Sequence, residues 1–104
     1  MKPVAVLVFL GSLTQLHAAP DIAQGKKLFE KKCSVCHASE TAEKRIGPSL
    51  RGVKDGRLPD SIGRRASHDN ILKKINDGGG GMPVFRELLT PEEKENIVAY
   101  VMTL

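Results

Sequence analysis

Five residues, Cys33-Ser34-Val35-Cys36-His37, constrain this chain more than any others, because they place its only two cysteines three positions apart with a histidine directly after. Two thiols at this spacing can add across the two vinyl groups of one haem, and the following residue then offers an imidazole to the iron. A chain that holds such a group must wrap around a large apolar body. Other chemistries also use Cys-x-x-Cys. A thioredoxin-like dithiol expects a βαβ setting, and nothing strand-like flanks Cys33. A structural zinc site needs four ligands. Beyond the N-terminal segment only His37 and His68 are available to add, and no second Cys-x-x-Cys occurs. A disulfide closed across two residues is strained. Haem attachment is the reading these residues favour, with thiol redox chemistry next.

The first residues point to export. Lys2 precedes a short apolar run from Val4 to Leu10, then Gly11, Ser12 and Thr14, with Ala18 and Ala19 as small residues for cleavage. This is the order of a secretory signal peptide, and the run is short for a bilayer span. A signal over residues 1–19 and a domain over residues 20–104 are therefore expected. Two details blur the cleavage point. His17 stands where a small residue is expected, and Pro20 would begin the product. An uncleaved anchor is the alternative.

Residues 20–104 hold one small domain, a size at which chains usually need a staple. A covalent haem would serve. The aromatic residues are few (Phe9, Phe29, Phe85, Tyr100, no Trp), which suits a core whose main aromatic object is not a side chain. This part carries 15 Lys and Arg against 12 Asp and Glu, a net charge of +3. The basic residues bunch in pairs, such as Lys26-Lys27, Lys31-Lys32 and Lys73-Lys74. Without aromatic interleaving or a known motif they do not read as a nucleic-acid surface. A basic face steering encounter with an acidic redox partner fits them, as do solvated helix faces.

The periodicity is helical. Asp21 is a good N-cap for a first helix with Ile22, Gly25, Leu28 and Phe29 at helical spacing, running into the Cys33 region. Residues 38–66 are rich in glycine and proline and read as loop with short turns. Ser67 caps a second helix bearing Ile71, Leu72 and Ile75, ended by Asp77 and the glycines. Thr90-Pro91-Glu92-Glu93 is a capping box with proline at the first helical position. It opens a last helix with Ile97, Val98, Tyr100, Val101 and Leu104.

Gly78-Gly79-Gly80-Gly81-Met82-Pro83 is the second chemical signal. A haem iron with histidine on one side takes a Met thioether on the other, which raises its potential. Glycines let the backbone approach closely, and Pro83 stiffens the turn. Alone, the stretch reads as a linker followed by a core methionine. Beside Cys-x-x-Cys-His, Met82 is the better candidate ligand. Met102 is expected inside the last helix, and His68 on the surface.

Together these motifs resemble the class I c-type cytochromes of the small bacterial monohaem kind. The likeness rests on Gly25-x-x-x-Phe29, Cys33-Ser34-Val35-Cys36-His37, Gly47-Pro48-Ser49-Leu50, Met82-Pro83 with Phe85, and Leu89-Thr90-Pro91-Glu92-Glu93 before Tyr100. It implies an all-α fold of three main helices and short turns around one covalent haem c. The iron ligands would be His37 and Met82, and the thioether links would come from Cys33 and Cys36. It also implies that Gly25 lets the first and last helices cross against Tyr100, and that the Pro48 carbonyl bonds the free N–H of the ligating imidazole. The stretch Gly52-Val53-Lys54-Asp55-Gly56-Arg57 resembles the family segment whose arginine meets a haem propionate, but is one residue longer. Arg57 is the candidate, with Arg51, Arg64 and Arg65 as alternatives. The tryptophan that mitochondrial relatives use there is absent. With both axial positions filled, the expected function is one-electron transfer by an exported, periplasmic monomer without a membrane span, rather than catalysis. A haem subunit docked to a dehydrogenase or oxidase complex is the alternative.

Overall fold

The computed structural model describes residues 2–5, 19–59 and 63–104. Most of the expected export signal, residues 6–18, lies outside the described residues.

The Asp21 carboxylate accepts a hydrogen bond from the Gln24 N–H at 3.1 Å and so starts α1, Ile22–Lys32. Gly25 and Phe29 form its buried face. Ile22 belongs to the same sequence periodicity, yet it stays about half exposed, 49%. The Ser67 hydroxyl caps α2, His68–Asp77, by accepting from the Asn70 N–H at 3.2 Å. Ile71 and Ile75 are its buried residues. The capping box forms at α3, Pro91–Val101. Thr90 Oγ1 accepts from the Glu93 N–H at 3.1 Å, and the Glu93 carboxylate accepts from the Thr90 N–H at 2.9 Å. Met102 is the C-cap of α3 and is partly exposed, so it lies just past the helix rather than inside it.

The glycine-rich middle contributes one 3-10 turn, Val53–Asp55, which drives Val53 into the core. A bond from Gly52 N to Leu104 O at 2.6 Å ties this loop to the end of the chain. No strands form among the described residues. Two isolated backbone bridges occur, Arg57 with Arg65 and Gly79 with Met82.

α1 crosses α3 at Gly25. A Cβ there would stand 1.9 Å from the Asn96 carbonyl oxygen and 3.1 Å from Tyr100 Cβ, so only a hydrogen fits. Next to the crossing the Phe29 and Tyr100 rings meet edge to face, with centroids 5.4 Å apart. Such a pair is worth about 0.5–1.5 kcal/mol beyond its buried area. The buried Asn96 side chain accepts from Asp21 N–H at 2.8 Å and fastens the start of α1 to α3. α2 packs on α3. Phe29, Ile71, Ile75, Ile97, Val98 and Val101 thereby share one core.

Candidate cofactor site

Cys33 is the C-cap residue of α1, its N–H bonded to Phe29 O at 2.8 Å. The chain then turns tightly, with Cys36 N and His37 N both bonded to Cys33 O at 3.0 and 2.9 Å. This turn puts the end of α1 and His37 beside one another. The guanidinium of Arg45 donates to the Ser34 carbonyl and braces the turn from outside.

Two backbone bonds lay the following loop against the motif, Gly47 N to Cys36 O at 2.7 Å and Leu50 N to Ala38 O at 2.9 Å. Between them the Pro48 carbonyl lies 2.7 Å from His37 Nδ1. A carbonyl only accepts, so Nδ1 carries a proton, and in the neutral ring the lone pair is on Nε2. The loop must begin with glycine, since a Cβ at Gly47 would stand 2.7 Å from His37 Cε1.

Cys33, Cys36, His37 and Met82 all line one cavity of about 530 Å³. α1 gives Phe29 to its wall, α2 gives Ile71 and Ile75, α3 gives Ile97 and Val101, and the middle loop gives Leu50 and Leu58. Lys32 and Lys74 are its charged members. Sequence reasoning missed both lysines as parts of this wall. Their only signal was their place beside Cys33 and before the glycine run.

The donor set suits a haem better than the alternatives. Both cysteines are unpaired and half-buried. Burial, with a smaller push from Cys36, raises the Cys33 thiol to about 11. At neutral pH it is a neutral thiol facing an apolar space. Among the described residues no group of three His, Cys, Asp or Glu side chains is placed to hold a metal ion. No strand flanks Cys33 to make a thioredoxin-like setting. What remains is an apolar chamber with two thiols, one oriented imidazole and one thioether in its wall.

Not every candidate reaches that chamber. Arg57 is outside the wall; its guanidinium donates to the Gly63 carbonyl at 2.6 Å. Arg51, Arg64 and Arg65 are not wall residues either. His68 lies on the surface, its ring between Asp69 at 2.8 Å and Glu95 at 2.7 Å. These hydrogen bonds, Asp69 first and then Glu95, raise its pKa.

A family profile described as "Cytochrome C oxidase, cbb3-type, subunit III" matches residues 20–101. The chain belongs to the c-type cytochromes. Cytochrome c6 of Rippkaea orientalis (strain PCC 8801 / RF-1) is 32% identical over 108 residues, spanning 98% of this chain and 93% of that protein. A cbb3-type cytochrome c oxidase subunit, FixP of Sinorhizobium medicae (strain WSM419), is 31% identical over 93% of this chain but only 36% of its own length. Among solved structures, cytochrome c6 from the diatom Phaeodactylum tricornutum superposes with a TM-score of 0.63 at 26% identity. It covers 80% of this chain and 92% of its own. The all-α arrangement of three helices is thus the c-type cytochrome fold, and the chain is a small class I c-type cytochrome, a haem-bearing electron carrier. Among its described residues no helix is long and apolar enough to cross a membrane.

Proposed function

We propose that this cytochrome is a periplasmic one-electron carrier. In it one haem c is attached through Cys33 and Cys36 and ligated by His37 and Met82. His37 carries the reading. Its Nδ1–H is committed to the Pro48 carbonyl at 2.7 Å, which leaves Nε2 as the donor in a wall shared with Cys33, Cys36 and Met82. When bound, the haem supplies an iron that cycles between ferric and ferrous.

The protein does the rest by holding still. Pro48 fixes the imidazole tautomer and strengthens it as a donor. The Met82 thioether is a soft ligand that favours the ferrous side and raises the potential. Phe29, Ile71, Ile75 and Ile97 keep water from the chamber. Two side-chain ligands leave no position for a substrate, so the protein carries electrons rather than transforming a molecule. Residues 1–19 serve as the export signal and residues 20–104 as the mature, monomeric domain. The basic pairs, with a net charge of +3 after removal of the signal, suit a partner with an acidic docking surface.

The test is spectroscopic. The oxidised holoprotein is expected to show the weak far-red sulfur-to-iron charge-transfer band, and the reduced form to resist CO. Replacing Met82 with Ala lowers the potential on the order of 0.2 V, within the span that axial ligands set. A missing band with rapid CO or cyanide binding, or a shift of a few millivolts in the variant, overturns the ligation.

A second reading draws on the FixP match, in which a chain like this one makes up 36% of a larger oxidase subunit. The cytochrome would then work docked to a dehydrogenase or oxidase complex. Sedimentation of the native protein from a gently lysed cell decides between them: a free carrier runs as a small species, a subunit with its complex.

A further inference from the structure

Met82 is presented by a turn with little stiffness of its own. Gly78, Gly79, Gly80 and Gly81 all have positive φ, 61°, 107°, 64° and 94°. Four glycines in a row lose more backbone freedom on ordering than any other residues would. Within the turn, Gly79 N bonds Met82 O at 2.9 Å and Met82 N bonds Gly79 O at 3.1 Å. Those bonds close the turn on itself but do not fasten it to the protein. At the tip, nothing lies within 4 Å of where a Cβ on Gly80 or Gly81 would stand.

Lys74, on the last turn of α2, supplies the fastening. Its backbone carbonyl accepts from Gly78 N–H at 2.8 Å. Its ammonium donates to Gly78 O at 3.1 Å and reaches Gly79 O at 3.4 Å. One residue therefore holds both polar groups of Gly78. Gly78 in turn packs on the ligand segment, since a Cβ there would stand 2.5 Å from both Met82 O and Pro83 O. On the other side Phe85 N–H bonds Ile75 O at 3.0 Å, so the clamp at Gly78 and this bond hold the two ends of the segment that carries Met82 and Pro83. Among the described residues no other side chain hydrogen-bonds the backbone of residues 78–82. The base of the clamp is firm, because α2 is anchored by the buried Ile71 and Ile75.

We propose that Lys74 is the positioning residue for Met82, and that its ammonium clamps the glycine turn so that the thioether stays directed into the cavity. The inference rests on the reading of Met82 as an axial ligand. An outside ligand that competes with the thioether binds in proportion to the fraction of time the thioether is away. Hydrogen bonds to a charged donor are among the stronger ones. Removing the ammonium should raise the detached fraction about tenfold.

The probe is imidazole, titrated into the ferric holoprotein while the sulfur-to-iron band is followed. Lys74→Met is expected to bind imidazole about tenfold more tightly than the native protein. Lys74→Gln, whose shorter amide cannot reach both carbonyls, should show the same tightening and serves if the first variant is not recovered with haem. Lys74→Arg keeps the donor and should stay within about twofold. Lys73→Met removes the neighbouring exposed cation of α2, which lies outside the cavity wall, without touching the turn and should leave the affinity unchanged. A native band together with native affinity in both neutral variants overturns the clamp alone. An equal tightening in Lys73→Met assigns the effect to charge and also overturns it. A native protein without the band overturns the Met82 ligation, and the clamp with it.

Discussion

Gly25→Ala sets two opposed effects of known size against each other. Alanine is the better helix former by about 1 kcal/mol, so helix propensity alone makes the variant more stable. The crossing makes it less stable. The new methyl would stand 1.9 Å from Asn96 O, 1.1 Å inside the 3.0 Å that real Cβ contacts respect. The obstacle is backbone, which cannot rotate aside, so the two helices must part. Overpacking of this kind costs about 1–3 kcal/mol. Separation also loosens the Phe29–Tyr100 edge contact, worth about 0.5–1.5 kcal/mol, and the bond from Asp21 N–H to Asn96 Oδ1, worth a similar amount. The crossing wins, and the net loss is roughly 2–4 kcal/mol. For a domain of this size that lowers the melting temperature by roughly 10–20 °C. Guanidinium and thermal unfolding of the holoprotein, followed by far-UV circular dichroism, measure it. Ala23→Gly, at an exposed site on the same helix, calibrates the propensity effect and should cost about 1 kcal/mol. A Gly25→Ala protein as stable as the native one would falsify the close crossing.

Gly47→Ala pushes a methyl into His37 Cε1 at 2.7 Å and breaks the ring's bond to Pro48. A weaker imidazole donor favours ferrous iron, so the potential should rise by some tens of millivolts, the one-electron equivalent of about 0.5–1.5 kcal/mol. A lowered or unchanged potential, read by redox titration, contradicts the role given to Pro48. His68 is held protonated by Asp69 and Glu95, so its folded pKa lies above the unfolded value of about 6.5. Its stabilising effect is therefore complete below about pH 6.5 and is lost as pH rises through the higher folded value. The ring is half exposed, and screening holds the effect under about 1 kcal/mol. Urea unfolding at pH 5.5 and 8.5 should show the native protein losing stability relative to His68→Gln at the higher pH; parallel profiles would remove His68 from the account.

Much of the site was legible because its chemistry is local. The Cys33–His37 turn, the Asp21, Ser67 and Thr90 caps and the glycine run each depend on residues a few positions apart. The Gly47-Pro48 loop was legible through the family resemblance, which anticipated the Pro48 carbonyl on His37. Lys74 was harder to see. It looked like one more lysine of a basic pair, and only the bend of the chain after α2 brings its ammonium onto Gly78 and Gly79. Ile22 misled in the other direction. It has the right spacing for a buried face, but at the first position of the helix, next to the Asp21 cap, it stays about half exposed.

The sequence by itself determined what can react: two thiols and an imidazole in one turn, a thioether behind flexible glycines, and three helices with their ends marked. Those properties follow from covalent spacing and hydrogen bonds within a few residues. Tertiary structure alone decided which of them share a chamber. It brought Met82 to the cavity of His37, left Arg57 outside the wall, and made Lys32 and Lys74 its charged members. The physical reason is the crossing of α1 and α3 at Gly25 and the packing of α2 on α3, contacts between residues far apart in the chain.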